Sequence, residues 1–314
     1  MERYFSLVKN NFGNTLRKIR QNKNITQNQV ATNVTDQSTI GKIERTQIQP
    51  SYLKVTQLAY NLDCGLPELL FLSADGRLDH KTKAFSYIRR CQSKKDLAIA
   101  REGLKFCEDR YIQTNDFYFF AFKTCFRLWI LFTETQNSIV PEELTLDVQQ
   151  MWRQIIDMEQ WYLTELYFIS MIILVLPFNQ RNRIGEMALD IVHSYQGIQH
   201  AEFIRNQLLE SMLMIAIKSR QFAEAQHYCE LLLNESIYPL TESMHGLVTF
   251  IHGLLYMHFD DEAAKFTIQK GLVLCYFADE YSIETLNRFA ELIIEENALT
   301  KLADFEVSIK HLIK

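Results

Sequence analysis

The stretch FGNTLRKIRQNKNITQNQVATNVTDQSTIGKIERTQIQPSYLKVTQLAYNL, residues 12–62, decides the fold of the first part of the chain. Phe12, Leu16 and Ile19 recur at i, i+4 and i+7, the spacing that lines up side chains on one face of an α-helix, and Arg17, Lys18 and Arg20 fan out beside that face. Thr26 stands where an N-cap would open a second helix over QNQVATN, with Val30 and Ala31 turned inward; Ala31 is small enough to let another helix approach. After Val34-Thr35, Asp36 is placed to cap a third helix from about Gln37 to Arg45. Ile40 and Ile43 would pack inward there, leaving Gln37, Ser38, Thr39 and Lys42 on the outer face. Pro50-Ser51 begins a fourth helix whose Leu53, Leu58, Ala59 and Leu62 are expected to complete the core, and Leu66 to Phe71 closes the bundle.

Working outward, the charge is uneven. Residues 1–72 hold nine Lys/Arg against five Asp/Glu, net +4, and the remainder holds 24 against 33, net −9. A basic front joined to an acidic remainder suits a first domain that faces phosphate and a second that does not. The full 314 residues are enough for two or more domains, and 10 Gly and 5 Pro are few for this length, so long helices are expected throughout. Six cysteines (Cys64, Cys91, Cys107, Cys125, Cys229, Cys275) form no CxxC pair, as expected of buried reduced thiols and not of zinc ligands or disulfides. MERYFSLVKN lacks the apolar core and cleavage site of a secretory signal, and the most apolar run, Leu166 to Phe178, is shorter than the roughly 20 residues a membrane span needs. A cytoplasmic location with no membrane contact is the expectation.

SADGRLDH, from Ser73 on, reads as a linker, and a division follows: a first domain at 1–72, a linker at 73–80 and a helical domain at 81–314. Amphipathic stretches predict helices near 79–91, 94–112, 116–134, 143–158, 160–176, 181–195, 201–219, 221–234, 241–258, 261–277, 280–295 and 298–313, with no strand pattern of comparable length. The segments IGEMALDIVHSY, FAEAQHYCELLL and DEAAKFTIQKGLVL look like second helices of tetratricopeptide-type pairs, with Ala188, Ala225 and Ala264 spaced by 37 and 39 residues. Such pairs stack into a curved array with a concave face; a generic helical bundle is the plainer alternative. The fold class expected is therefore all-α, a small N-terminal bundle followed by a helical repeat domain.

The strings ITQNQVA, DQSTIGKIER and PSYLKVTQLAYNL resemble the lambda-repressor-like helix-turn-helix of the XRE class over about residues 12–72, with Gln27, Ala31, Ile40, Glu44 and Pro50 in family order. The resemblance implies binding to duplex DNA. Gln27 would hold a phosphate and brace the recognition helix, Gln37, Ser38 and Thr39 would meet base edges, and Arg17, Lys42 and Arg45 complete the set of DNA-binding residues, with Lys42 and Arg45 on the backbone. Glu44 reads as a structural acid. Two departures stand out: Asn33-Val34-Thr35 occupies the place of the usual turn glycine, and Thr46 stands where many members have glycine after Glu-Arg. The alternative for the polar outer residues is that they merely solvate the bundle.

Beyond the head, MWRQIIDMEQWYLTELYFISMIILVLPF and FIRNQLLESMLMIAIKSRQFAEAQHY look like the Rgg/MutR group and its PrgX-like relatives. That resemblance implies a homodimeric quorum-sensing regulator that binds a short hydrophobic peptide pheromone in its helical groove. A peptide groove needs isolated polar side chains among apolar walls. Asn206, among Phe203, Leu208, Leu209 and Met212, fits, as do Arg153, which could hold a peptide carboxylate, and Arg127 in the apolar helix FKTCFRLWILF. For the two arginines, an ion pair with Glu165 or Glu159 is the alternative. His245, His252 and His258 stand at spacings of seven and six on one helix, not the i, i+4 of a helical metal site, so His252 is taken as a groove residue and no metal or cofactor is expected. No P-loop, GxGxxG or GxSxG occurs, so no enzymatic activity is expected. The second reading is a DNA-binding regulator whose helical domain contacts another protein without a peptide ligand.

Overall fold

The computed structural model describes residues 2–94, 96–135, 140–234, 240–257, 261–278 and 283–294, and every regular element among them is an α-helix. The expected helix over 298–313 and His258 lie outside the described residues. By contacts the chain divides into two compact units, residues 1–119 and 120–314.

The first unit opens with α1 (Glu2–Asn22), α2 (Gln27–Ala31), α3 (Gln37–Glu44), α4 (Tyr52–Asn61) and α5 (Leu66–Ser73). Phe12, Leu16, Val30, Ala31, Ile40, Ile43, Leu58, Ala59, Leu62 and Leu69 form one buried cluster, the stripe expected from the spacing. Thr26 caps α2 through a capping box with Gln29, and Asp36 caps α3 by accepting from the Thr39 N–H. Gly13 lets α1 cross α3 closely, since a Cβ there would collide with the carbonyl of Ile43. The helix α1 begins ten residues before Phe12. Nothing in residues 2–11 breaks a helix, and the segment is tied down where the Gln49 amide donates to the Lys9 carbonyl at 3.0 Å and the Asn11 amide donates to Asp75 at 3.1 Å.

One expected core residue is not in the core: Leu53 is 77 % exposed. Val55, Leu58, Ala59 and Leu62 repeat at i, i+3, i+4, i+7 and fill the inward stripe of α4, which turns Leu53, two residues before Val55, toward solvent. The turn positions that lack glycine adopt the left-handed conformation all the same, Asn33 at φ 59° and Thr46 at φ 57°. The unit continues with α6 (His80–Lys94) packed on α7 (Leu97–Thr114), which Asp96 caps through the Ala98 and Ile99 N–H groups.

The helix α8 (Phe117–Thr135) leads into the second unit, followed by α9 (Glu142–Ile156), α10 (Leu163–Ile172), α11 (Phe178–His193), α12 (Gln199–Lys218), α13 (Phe222–Asn234), α14 (Glu242–Tyr256), α15 (Asp261–Ala278) and α16 (Ile283–Ile293). From α9 to α15 each helix packs on the next, and the alternate members also touch, α10 with α12 and α14 with α16. That is the connectivity of stacked helix pairs. Ala188, Ala225 and Ala264, the repeat-spaced alanines, are all buried, on α11, α13 and α15. The apolar run around residue 170 is the core helix α10, with Tyr167 and Phe168 fully covered and Phe168 edge-on to Phe122 at 5.1 Å. The tightest pair is α14 with α15: Gly253 abuts the backbone of Ile268, and Gly271 abuts that of Phe250. All six cysteines are buried free thiols, and burial pushes those of Cys91 and Cys107 up to about 12. Among the described residues no helix is long and apolar enough to cross a membrane.

Candidate functional site

The helix α3 carries an inner and an outer side. Ile40, Gly41, Ile43 and Glu44 are buried, whereas Gln37, Ser38, Lys42 and the C-cap Arg45 are exposed and Thr39 is half-buried. The outer side thus holds three amide or hydroxyl side chains, Gln37, Ser38 and Thr39, and two cations on about two turns of helix, the mixture that reads base edges and neutralises phosphates. Arg17 and Lys18 on α1 are exposed as well.

What positions this side is a buried carboxylate. Glu44, 4 % exposed, accepts from Arg20 Nε at 2.5 Å and from Arg20 Nη2 at 3.1 Å, and from Gln27 Nε2 at 2.9 Å. The remaining Arg20 terminal nitrogen donates to the Ile25 carbonyl at 3.0 Å. One ion pair therefore ties α1, the start of α2 and the end of α3 together. Burial pushes the Glu44 carboxyl up, but the hydrogen bonds from Arg20 and Gln27 and the nearby charges of Arg20 and Arg17 outweigh it and hold it below the usual range. Gly41 lies beside the side chains of Arg45 and Gln27: a Cβ there would make ordinary contact with the Arg45 guanidinium at 3.7 Å and with Gln27 Nε2 at 3.8 Å. Gln27 donates one amide hydrogen to Glu44. The bracing residue the sequence reading passed over is Arg20. Alone on a helix face a basic side chain reads as solvated, and its partner lies 24 residues away.

In the second unit the expected groove residues fall in different settings. Arg127 on α8 pairs with α9, its guanidinium 2.8 Å from Asp147 and 3.0 Å from Glu143, with Lys123 3.6 Å from the same Asp147. Its partners are these two acids and not Glu165 or Glu159. Glu165 instead is buried at the start of α10 and accepts from the Tyr162 N–H at 3.0 Å. Arg153 is exposed in the last turn of α9.

Asn206 is half-buried on α12 and shares its face with Phe203, Glu210 and Met214, at i, i−3, i+4 and i+8. Phe203 stacks on Tyr167 of α10 at 6.5 Å, and neighbouring Gln207 accepts from Ser170 at 3.1 Å; Tyr167 and Ser170 are buried, so these contacts pack α10 on α12, and Phe203, Asn206 and Gln207 stay half-buried on α12. His252 on α14 is 8 % exposed, its ring 4.5 Å from that of Tyr256 and its Nε2 3.9 Å from Glu230 of α13. Desolvation lowers its pKa against the pull of Glu230, so the imidazole is held neutral. Glu210 was not singled out from the sequence; desolvation pushes its carboxyl up to about 7.

A small helical bundle with a capped, outward-facing third helix bearing cations defines a helix-turn-helix protein. The helix-turn-helix family HTH_3 matches residues 16–69, and this head is of the DNA-binding XRE type. No curated protein matches the sequence as a relative. Among solved structures the chain resembles the SHP pheromone receptor Rgg2 of Streptococcus dysgalactiae at 18 % identity and TM-score 0.63, covering 89 % of this chain and 97 % of that one. It resembles PrgX in its complex with cCF10 at 15 % identity and TM-score 0.61, covering 94 % and 93 %. PlcR of Bacillus thuringiensis, in complex with the peptide PapR7 and DNA, matches at 13 % identity and TM-score 0.61, covering 91 % and 99 %. The chain thus joins an XRE-type helix-turn-helix to a body that is helical over its described residues and has the fold of these proteins.

Proposed function

We propose that the protein is a sequence-specific transcription regulator whose DNA binding is controlled by a short hydrophobic signalling peptide held on the helical stack. The observation that carries the reading is the pairing of a helix-turn-helix head with a body whose fold recurs, over nearly the whole chain, in a pheromone receptor and in a regulator bound to peptide and DNA. The half-buried Phe203, Asn206 and Gln207 of α12 support it, because an extended peptide needs apolar walls for its side chains and amides for its backbone. In this reading residues 1–72 bind DNA and residues 81–314 bind peptide and dimerise, and the protein works in the cytoplasm as a homodimer.

Gln27, Gln37, Ser38, Thr39, Lys42, Arg45 and Arg17 then contact the operator, and Asn206, with Arg153 and His252, contacts the peptide. Arg127, already paired with two acids, serves the peptide through that ion-pair cluster. Two heads meet half-sites about one DNA turn apart or further. The peptide regulates only by binding one arrangement of the dimer more tightly than another.

The test is to incubate the purified chain with culture supernatant, identify retained peptides by mass spectrometry, and measure operator affinity with each. Enrichment of an apolar peptide that shifts operator affinity in the wild type, with the shift lost in Asn206→Ala and basal DNA binding kept, is expected. Operator binding with no retained peptide would sink the peptide half of the reading and favour a body that contacts another protein.

A further inference from the structure

At the tip of α3 the direction of each hydrogen bond is fixed, and this limits what the tip can offer a base. The Ser38 hydroxyl lies 2.6 Å from Asp36 Oδ1, the Thr39 hydroxyl lies 2.9 Å from Oδ2, and the Thr39 backbone N–H donates to Oδ1 at 2.7 Å. The hydrogen bond from Ser38, then those from the Thr39 backbone and hydroxyl, hold the Asp36 carboxyl down at about 2. The group is ionised at any physiological pH and can only accept. Both hydroxyls must therefore direct their single hydrogen at Asp36, which leaves each oxygen with lone pairs and no donor. Asp36, Gln37 and Ser38 are exposed and Thr39 is half-buried.

Resting on the reading of α3 as the helix that meets base edges, we propose that Asp36 is a specificity-determining residue: it makes Ser38 and Thr39 obligate acceptors, which select adenine or cytosine over guanine and thymine at the bases they meet. In the major groove adenine presents the N6 amine and cytosine the N4 amine, whereas guanine presents N7 and O6 and thymine O4, all acceptors. Acceptor against acceptor in a desolvated interface leaves both groups unsatisfied, and the negative charge of Asp36 sharpens the same preference. Gln37 carries a donor and an acceptor and adapts to either class, so the discrimination falls to its two neighbours.

Selection of duplexes from a randomised pool by the full-length chain tests the assignment. The positions at issue are those whose base preference is lost in Ser38→Ala or Thr39→Ala, and the wild type should enrich adenine or cytosine there on the facing strand. Replacing such an adenine by nebularine, which lacks only the amine, should weaken the wild type about tenfold and leave the matching alanine variant unaffected. Asp36→Asn keeps a competent N-cap but has one acceptor oxygen in place of two, so one hydroxyl regains a free hydrogen. That variant should keep wild-type helicity and tolerate guanine or thymine at one of the two positions. Identical preferences in the wild type and Asp36→Asn, guanine or thymine at both positions in the wild type, or no change of preference in either alanine variant would overturn the proposal. A wild-type chain that enriches no duplex at all would overturn the DNA-binding reading beneath it, a different and separable failure.

Discussion

Thr46 is the residue where the head departs most visibly from low-energy chemistry. The Thr46 N–H donates to the Ile43 carbonyl and the Gln47 N–H to the Lys42 carbonyl, both at 2.9 Å, the paired bonds of a Schellman end to α3. That end demands a left-handed residue, and a β-branched side chain at φ 57° is strained there, at a cost of about 1–2 kcal/mol. Thr46→Gly should therefore raise the stability of the head by about 1 kcal/mol after the added chain entropy is offset, read as a higher midpoint of thermal helix loss. An unchanged or lower midpoint would show that the Thr46 side chain makes up for its backbone. At this scale the caps Thr26 and Asp36 and the structural role of Glu44 were legible, because each depends on residues three or fewer positions away or on a familiar motif. Arg20 was not, since a 24-residue separation leaves no local trace.

At the scale of elements, the helices α8 to α15 appear within a few residues of where periodicity places them, because most carry an apolar stripe, and α10 and α14 are buried nearly all round. Two element properties were not legible. Glycines at 253 and 271 look like helix weaknesses in sequence and turn out to be contact points between α14 and α15, where a Cβ would meet the opposite backbone. Glu210 looks like an ordinary solvated acid on α12, yet it is desolvated enough to titrate at about 7.

For Glu210 the sign follows directly. The folded pKa lies above the unfolded value of about 4.3, so the fold binds a proton that the unfolded chain has already released. Stability is therefore lost as pH rises from about 4.5 to about 7, by at most about 3 kcal/mol. Glu210→Gln removes this slope: it should be more stable than the wild type at pH 8 and nearly equal to it at pH 4.5, measured by urea unfolding across that range. Parallel pH profiles for the two proteins would contradict the assignment.

Across the whole molecule, the all-helical class was the most legible reading, since periodicity averages over many residues and survives local errors. What the remainder binds was least legible, because the residues proposed to meet a peptide lie on helices far apart in sequence and look individually like surface or core.

One consequence of the aromatic distribution is optical. All three tryptophans, Trp129, Trp152 and Trp161, belong to residues 120–314, and the buried rings of Trp152 and Trp161 lie 6.0 Å apart. Intrinsic emission is thus a native reporter of one unit alone, while far-ultraviolet circular dichroism sees both. The gain from Thr46→Gly should appear in the dichroism melt and leave the emission melt where it was. A matching shift in tryptophan emission would instead reveal that the two units unfold as one cooperative body.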